Sequence, residues 1–268
     1  MSEGIQLGKD ALYVDHYDAE LLVPIPRSES RAKVFGATLP FMGKDIWTSY
    51  ELSWLSKSGK PQVAIAEFEF PYDSQNIIES KSFKYYLNSF NQTFFDSMEE
   101  VRQTLIRDLS QAAGGDVSVD VQNLSSDHQI YVLPGTCVDN LNVNVNQYTP
   151  NPELLTSGRR TVEKKQLFSH LLKSNCPVTG QPDWATVWIE YSGTEIIPES
   201  FLAYVISYRQ HQDFHENCVE SMFKDIMRQC QPSTLSVYAR YTRRGGLDIN
   251  PFRTNAREEV PVKRLARQ

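Results

Sequence analysis

Shifting the chain by 118 positions lays its second half on its first. Ser82 then falls on Ser200, Phe83 on Phe201, Tyr86 on Tyr204, Ser89 on Ser207, Phe90 on Tyr208, Gln92 on Gln210 and Val101 on Val219. A match that follows helical spacing points to a duplicated unit with its own apolar face. The elements around it repeat as well. In the first half, residues 46–55 and 63–70 read as a hairpin about a turn at 56–60. Ala64, Ala66, Phe68 and Phe70 share one face of its second strand, opposite Val63, Ile65, Glu67 and Glu69. Phe83, Tyr86, Leu87 and Phe90 then stand at helical spacing. Ser97 and Glu100 have the spacing of a capping box ahead of Val101, Leu105 and Leu109, and Gly114-Gly115 ends that helix. Val117, Val119 and Val121 alternate with polar residues as a closing strand.

The second half repeats this order. Residues 161–173 and 185–191 read as strands, Pro198-Glu199-Ser200 opens a helix, and a second helix over 214–230 is stopped by Gln231-Pro232. Strands over 235–241 and up to Phe252 flank Arg243-Arg244-Gly245-Gly246. Two units of strand, strand, helix, helix, strand predict an α+β fold of tandem modules, each with a helix pair packed on one face of an antiparallel sheet. The loop-like stretch 124–160 reads as a linker, with Ser125-Ser126-Asp127 at its start and 129–133 and 141–145 as candidate short strands. The expected modules are 1–155 and 156–268. Pro24, Pro26, Gly36, Pro40 and Gly43 break the first 45 residues into what reads as an irregular arm.

Charge narrows the function classes. With 27 Lys and Arg against 33 Asp and Glu, the chain carries a net charge of −6 and no footprint for a nucleic-acid backbone. A small-molecule substrate is expected, with no direct nucleic-acid partner. No apolar run approaches the roughly 18 residues of a membrane span, and the polar start does not read as a signal peptide. The expected location is the cytoplasm. Cysteines at 137, 176, 218 and 230 include no Cys-x-x-Cys and no Cys/His set at zinc spacing, which predicts free thiols and no metal. Cys218 and Cys230 fall in a helical pattern and Cys137 follows Pro-Gly in a loop, so these three read as structural.

Cys176 differs. It sits in Ser174-Asn-Cys-Pro-Val-Thr-Gly-Gln-Pro-Asp-Trp184, a turn rich in Pro and Gly with Asp183 where the next strand begins. A thiolate adds to electrophilic carbon, but an ordinary thiol is mostly protonated at neutral pH and needs a surrounding that lowers its pKa. The nearest histidine in sequence, His170, lies on a strand whose alternation sends it away from the loop, and no cysteine-protease signature precedes Cys176. His215-Glu216 opens a helix and reads either as an ordinary first turn or as a carboxylate able to accept two hydrogen bonds from a guanine-like edge. Glu79-Ser80-Lys81-Ser82-Phe83-Lys84 reads either as a helix start capped by Ser80 or Ser82, or as a phosphate site of two lysines, hydroxyls and free backbone N–H groups. Arg243-Arg244-Gly245-Gly246 is likewise a plain turn or a phosphate fork. No Gly-x-Gly-x-x-Gly is present, so a nicotinamide cofactor is not held in a Rossmann manner.

Taken together, these stretches resemble the NADPH-dependent 7-cyano-7-deazaguanine (preQ0) reductases of queuosine biosynthesis, in their long two-module form. The matching residues are 79–84 with Tyr86 to Gln92, Ser174-Asn175-Cys176, Gln181-Pro182-Asp183-Trp184, Phe214-His215-Glu216, and Tyr241 through Pro251. The resemblance spans nearly the whole chain, from Asp45-Ile46-Trp47 to the C-terminus. It implies a tunnelling fold related to GTP cyclohydrolase I and a reduction of the preQ0 nitrile to the amine of preQ1. By the same likeness Cys176 adds to the nitrile carbon to give a covalent thioimide and Asp183 protonates the nitrogen. Ile78, Glu79, Ser80, His215 and Glu216 hold the deazaguanine, and Ser80, Lys81, Arg244 and Gly245 hold NADPH. With the cofactor motif in one half and the cysteine in the other, the site is expected between modules, and a homodimer is the expected assembly. The competing readings are a thioimide-forming amidinotransferase and a non-catalytic deazapurine- or pterin-binding protein on the same frame.

Overall fold

A computed structural model describes residues 13–35, 38–126, 129–256, 259–260 and 264–268. The first half contains β1 (Pro24–Pro26), α1 (Arg27–Val34), β2 (Met42–Leu55), β3 (Pro61–Pro71), β4 (Asn76–Ile78), α2 (Ser80–Asn88), α3 (Met98–Ala113) and β5 (Ser118–Gln122). After β6 (Thr136–Cys137) come β7 (Ser157–Asn175), β8 (Pro182–Ile196), α4 (Pro198–Ser207), α5 (His215–Cys230), β9 (Thr234–Tyr241) and β10 (Leu247–Thr254). At the 118-residue shift, the first residue of α4 falls on the first residue of α2, and α5 starts within one residue of α3.

β2 to β10, without β4, form one eight-stranded sheet in the order β5-β3-β2-β10-β9-β8-β7-β6. The ladders are antiparallel except for the short β6–β7 pair, while β1 and β4 make a separate two-stranded ribbon. Closure depends on the last hairpin. β10 pairs with β9 on one side and with β2 on the other, setting Ile249 opposite Trp47 and Phe252 opposite Lys44, so the two halves share a sheet.

Alternation along these strands separates two faces. On one, α2 and α3 cover a core containing Phe68, Phe83, Phe90, Val101 and Leu105, and α4 and α5 cover a second containing Val187, Tyr204, Val205, Phe223 and Val237. The other face carries Ile46, Phe168, Trp188, Tyr238 and Phe252. The expected α+β architecture, tandem units with helix pairs on one face of antiparallel strands, is the one found. The capping signals behave as their chemistry dictates. Ser97 Oγ accepts the N–H of Glu100, Glu100 reaches back to the N–H of Asp96, and Gly114 ends α3 in the left-handed conformation at φ +64.

Three expectations are corrected. The arm before residue 45 is not irregular where it is described, since it holds β1 and α1; its residues 1–12 and 36–37 lie outside the described residues. α1 has no apolar stripe for a sequence pattern to reveal; charge holds it instead. Arg27 Nη2 lies 2.6 Å from Asp45, and Arg31 donates to both oxygens of Glu220 at 3.0 and 2.7 Å. In the linker, residues 129–133 and 141–145 are not strands, whereas Cys137 is in β6 rather than a loop; Asp127 lies outside the described residues. Phe41, Val138 and Leu155 precede residue 156 yet are buried in the second core. We therefore propose the division into 1–155 and 156–268 as a boundary between repeat units, not between cores.

Arg253 on β10, fully buried, pairs with Asp45 at 2.7 Å and Glu220 at 2.8 Å, joining a strand of each half to α5. Breaking a buried ion pair by deleting one partner leaves uncompensated charge. Arg253→Ala is expected to lose on the order of 3–5 kcal/mol in a denaturant titration, whereas a loss below about 1 kcal/mol, the usual worth of a surface pair, would show that the network does not brace the fold.

Candidate active site

The turn between β7 and β8 is built to serve its cysteine. Ser174 pairs with Asp183 across the hairpin, the Cys176 N–H donates to the Gln181 carbonyl at 2.9 Å, and the Gly180 N–H donates to the Cys176 carbonyl at 2.9 Å. Gly180 takes φ +69, a conformation glycine adopts without strain, and so lets the chain double back. Residues 177–179 then curl beneath the sulfur. Burial alone would push the Cys176 thiol up, but the Thr179 hydroxyl and the backbone N–H groups of Thr179 and Val178 outweigh it and hold the pKa below the usual thiol value. Histidine is not among these groups. His170 is turned to Thr186, with its Nδ1 2.8 Å from the hydroxyl.

Four segments bring their side chains to one pocket beside this turn. Ile78, Glu79 and Ser80 come from the β4–α2 junction, Cys176 and Asp183 from the β7–β8 turn, His215 and Glu216 from the start of α5, and Arg244 from the β9–β10 turn. Two expected residues do not line it. Lys81 is exposed, with Nζ over the Tyr85 ring at 5.6 Å, and Gly245 backs onto the Lys84 side chain, which a Cβ there would meet at 3.3 Å. Lys84, four residues after Ser80 on the same helix face, lines the pocket instead; that spacing was available in the sequence. Trp47, Phe214 and Thr242 also line it; each stands in a stretch that carries or bounds the family resemblance, but none was given a role there.

The expected cap of α2 is corrected too. Neither Ser80 nor Ser82 caps it; Glu79 does, its carboxylate accepting the N–H groups of Lys81 at 2.9 Å and Ser82 at 2.7 Å. These amides are therefore not free for a phosphate. The cations near the pocket are side chains. Lys84 is pushed below the usual lysine value by burial and then by the charge of Arg244.

Asp183 sits between two donors. Arg244 Nη1 contacts its Oδ1, and His215 Nε2 lies 3.3 Å from its Oδ2. Burial pushes this carboxyl up, yet His215 and Arg244 together hold it below the usual carboxylate range. The same guanidinium reaches Gln181 Oε1 at 2.7 Å, so Arg244 straps the turn shut over the acid. His215 is fixed by stacking on Tyr241, ring centroids 3.7 Å apart and 3° from parallel. Neither His215 nor Glu216 is a surface residue. Glu216 is buried, and burial, followed by the charge of Asp45, pushes its carboxyl up to about 8.

Several polar atoms here lack a partner among the described residues: Trp47 Nε1, His215 Nδ1, Glu216 Oε1 and Thr242 Oγ1. Buried donors and acceptors are normally satisfied, so this concentration marks a place where a polar ligand completes the bonding. The free volume is about 50 Å³.

Known proteins resemble this chain over nearly its whole length. A family model described as "Nitrile reductase, 7-cyano-7-deazaguanine-reductase N-term" matches residues 13–121, and one described as "QueF-like protein" matches residues 182–260. The "NADPH-dependent 7-cyano-7-deazaguanine reductase" of Teredinibacter turnerae is 58% identical over 98% of this chain and 97% of its own length. The protein of the same name from Saccharophagus degradans is also 58% identical, over 98% of this chain and 99% of its own. The chain belongs to the 7-cyano-7-deazaguanine reductase family. A crystal structure of an archaeosine synthase QueF-Like in the apo form is 21% identical, with a TM-score of 0.32, covering 36% of this chain and 94% of that one. Within the reductase chain, Ile78 to Lys84 fall in the first matched span and Asp183, His215, Glu216 and Arg244 in the second, while Cys176 lies between the two.

If the turn lowers the Cys176 pKa, removing its hydroxyl should raise it. Thr179→Val is expected to move the midpoint of iodoacetamide alkylation at Cys176 to higher pH, followed by mass spectrometry of that peptide. An unchanged midpoint would mean that the turn does not tune the thiol.

Proposed function

We propose that this chain reduces the nitrile of 7-cyano-7-deazaguanine to the aminomethyl group of preQ1 with NADPH, through a covalent thioimide at Cys176. The observation that carries this reading is a thiol held ready by turn amides, beside a buried carboxyl and an unsatisfied polar pocket. The full-length likeness to reductases of that name supports it. A nitrile carbon is linear and electrophilic. Addition of the Cys176 sulfur makes a planar C=N bond, and the charge that develops on nitrogen requires a proton. Asp183 is the assigned donor. Held by Arg244 and His215 it is a carboxylate, the wrong form for that step, so it must first take up a proton, and the proton that leaves the Cys176 thiol balances the addition.

NADPH supplies hydride, twice per nitrile, because reduction to an amine takes four electrons. The residues present suit its phosphates. Arg244 and Lys84 are partly buried cations at the mouth, Ser80 offers a hydroxyl, Lys81 adds an exposed ammonium, and Gly245 at φ +57 gives a backbone that a phosphate can approach closely. Glu216 and Glu79, with Ile78, Ser80 and His215, are assigned to the deazaguanine. With its carboxyl pushed up to about 8, Glu216 must shed a proton to accept two hydrogen bonds from the ring edge, so binding near neutral pH is coupled to proton release.

Two competing readings use the same frame. An amidinotransferase would share Cys176 and Asp183 without using a hydride donor, and a binding protein would form no adduct. Mixing the chain with 7-cyano-7-deazaguanine alone should add the whole mass of the nitrile to Cys176, and adding NADPH should release preQ1 with loss of absorbance at 340 nm. Adduct without NADPH oxidation would turn the assignment to the transferase; no adduct in the wild type, or full turnover by Cys176→Ala, would sink it.

The chain is also proposed to work as a homodimer in the cytoplasm. Four free cysteines suit a reducing compartment, and no described helix is long and apolar enough to cross a membrane. The sheet ends at β5 and β6, and its helix-free face keeps an apolar cluster and a cavity of about 570 Å³. Light scattering of the purified protein should give twice the 30.7 kDa chain mass; a monomer at micromolar concentration would contradict it.

A further inference from the structure

A second constellation lies on the helix-free face and has no part in the reduction. β6 pairs in parallel with β7, setting Cys137 opposite Phe168, and the Val138 N–H donates to the Phe168 carbonyl at 3.0 Å. Val138 is buried in the second core, so alternation sends its neighbours Cys137 and Asp139 the other way, toward His170. The sulfur, a carboxylate oxygen and an imidazole nitrogen lie within 4.8 Å of one another. In sequence, His170 lies 33 positions after Cys137, which is why no metal spacing shows there.

Two of these donors are held in place by further bonds. Ser169 Oγ donates to Asp139 Oδ1 at 2.6 Å, and the His170 N–H reaches the two Asp139 oxygens at 3.2 and 3.1 Å. The ring of His170 is fixed by Thr186, as described above. Outer partners that orient a histidine and a carboxylate are what a metal site needs, because ligands must converge without rearranging. The donor chemistry selects the ion. Sulfur with nitrogen and one carboxylate suits Zn²⁺ and its tetrahedral relatives, not Mg²⁺ or Ca²⁺, which take oxygen cages.

We propose that Cys137, Asp139 and His170 form a three-ligand site for a divalent cation of the zinc class. The ion clips the linker between the repeats onto β7, the strand that leads into the Cys176 turn. A fourth position is left to water. The site does not depend on the reductase reading.

The test is Co²⁺ titration of the full chain, freed of metal by chelation, followed by absorption. Wild type and Cys176→Ala should show the thiolate-to-cobalt charge-transfer band and the visible bands of a four-coordinate ion, and Cys137→Ser and His170→Ala should lose both. Absence of the bands in wild type, or their survival in Cys137→Ser, would overturn the proposal. As a second readout, Zn²⁺ at a hundredfold excess over its Kd should raise the melting temperature of wild type by several degrees and leave Asp139→Asn unmoved. An equal rise in both would place the bound ion elsewhere and overturn it as well.

Discussion

Arg253 is the pivot of the molecule. It is completely buried on β10, where the sheets of the two halves join, and it reaches Asp45 of β2 and Glu220 of α5 at once. Arg27 and Arg31 of α1 complete the ring from outside the sheet. Such a network is tolerable only when every member is present, since a buried charge without its partner is worse than none. Its geometric product is the placement of α5. Glu220 is one helical turn beyond Glu216, so anchoring the first fixes the second at the pocket floor, and with it His215 next to Asp183. The electrostatic product is just as direct: Asp45, indispensable to the ring, is also a charge that pushes Glu216 toward its neutral form.

The site therefore inherits two opposed settings from the fold. Cys176 and Asp183 are biased toward their anions, one by turn amides and the other by Arg244 and His215, while Glu216 is biased toward its neutral form. A polar, partly anionic ligand with a hydrogen-bonding edge can reverse the last setting, and competition for Arg244 can reverse that of Asp183. Both require the ligand to supply groups that the pocket lacks, and its unpaired polar atoms stand where such groups would bond.

Much of this was legible in the sequence because apolar periodicity is a local signal. The repeated helices, the long hairpins, the Ser97 cap and the Cys176 turn each follow from neighbours within a few residues. What escaped depends on contacts far along the chain. α1 has no apolar face and is held by Asp45 and Glu220; β6 exists only because β7 runs beside it. The motif around Glu79 was readable, but not which residue caps the helix, because Glu79 and the two serines are all able to do so. Lys84 was visible at helical spacing from Ser80, whereas Trp47 became a site residue only through β2 packing beside β10. The missing histidine at Cys176 had an answer within four residues, in Thr179 and its amide.

Duplication also explains why each half holds only part of a site. At the 118-residue shift, His215 and Glu216 correspond to Ser97 and Met98, and the equivalent turn of the first half, residues 56–60, has no cysteine. Conversely, Glu79, Ser80, Lys81 and Lys84 correspond to Ile197, Pro198, Glu199 and Leu202. Neither unit retains both the nucleophile and the cationic helix start. A complete pocket exists only where β10 crosses to β2 and draws the β4–α2 junction against the β7–β8 turn. That crossing is the same seam that Arg253 holds. Selection for the buried ion network and selection for the site thus act on one piece of geometry, and a change that loosens the seam should disorder the pocket before it unfolds either core.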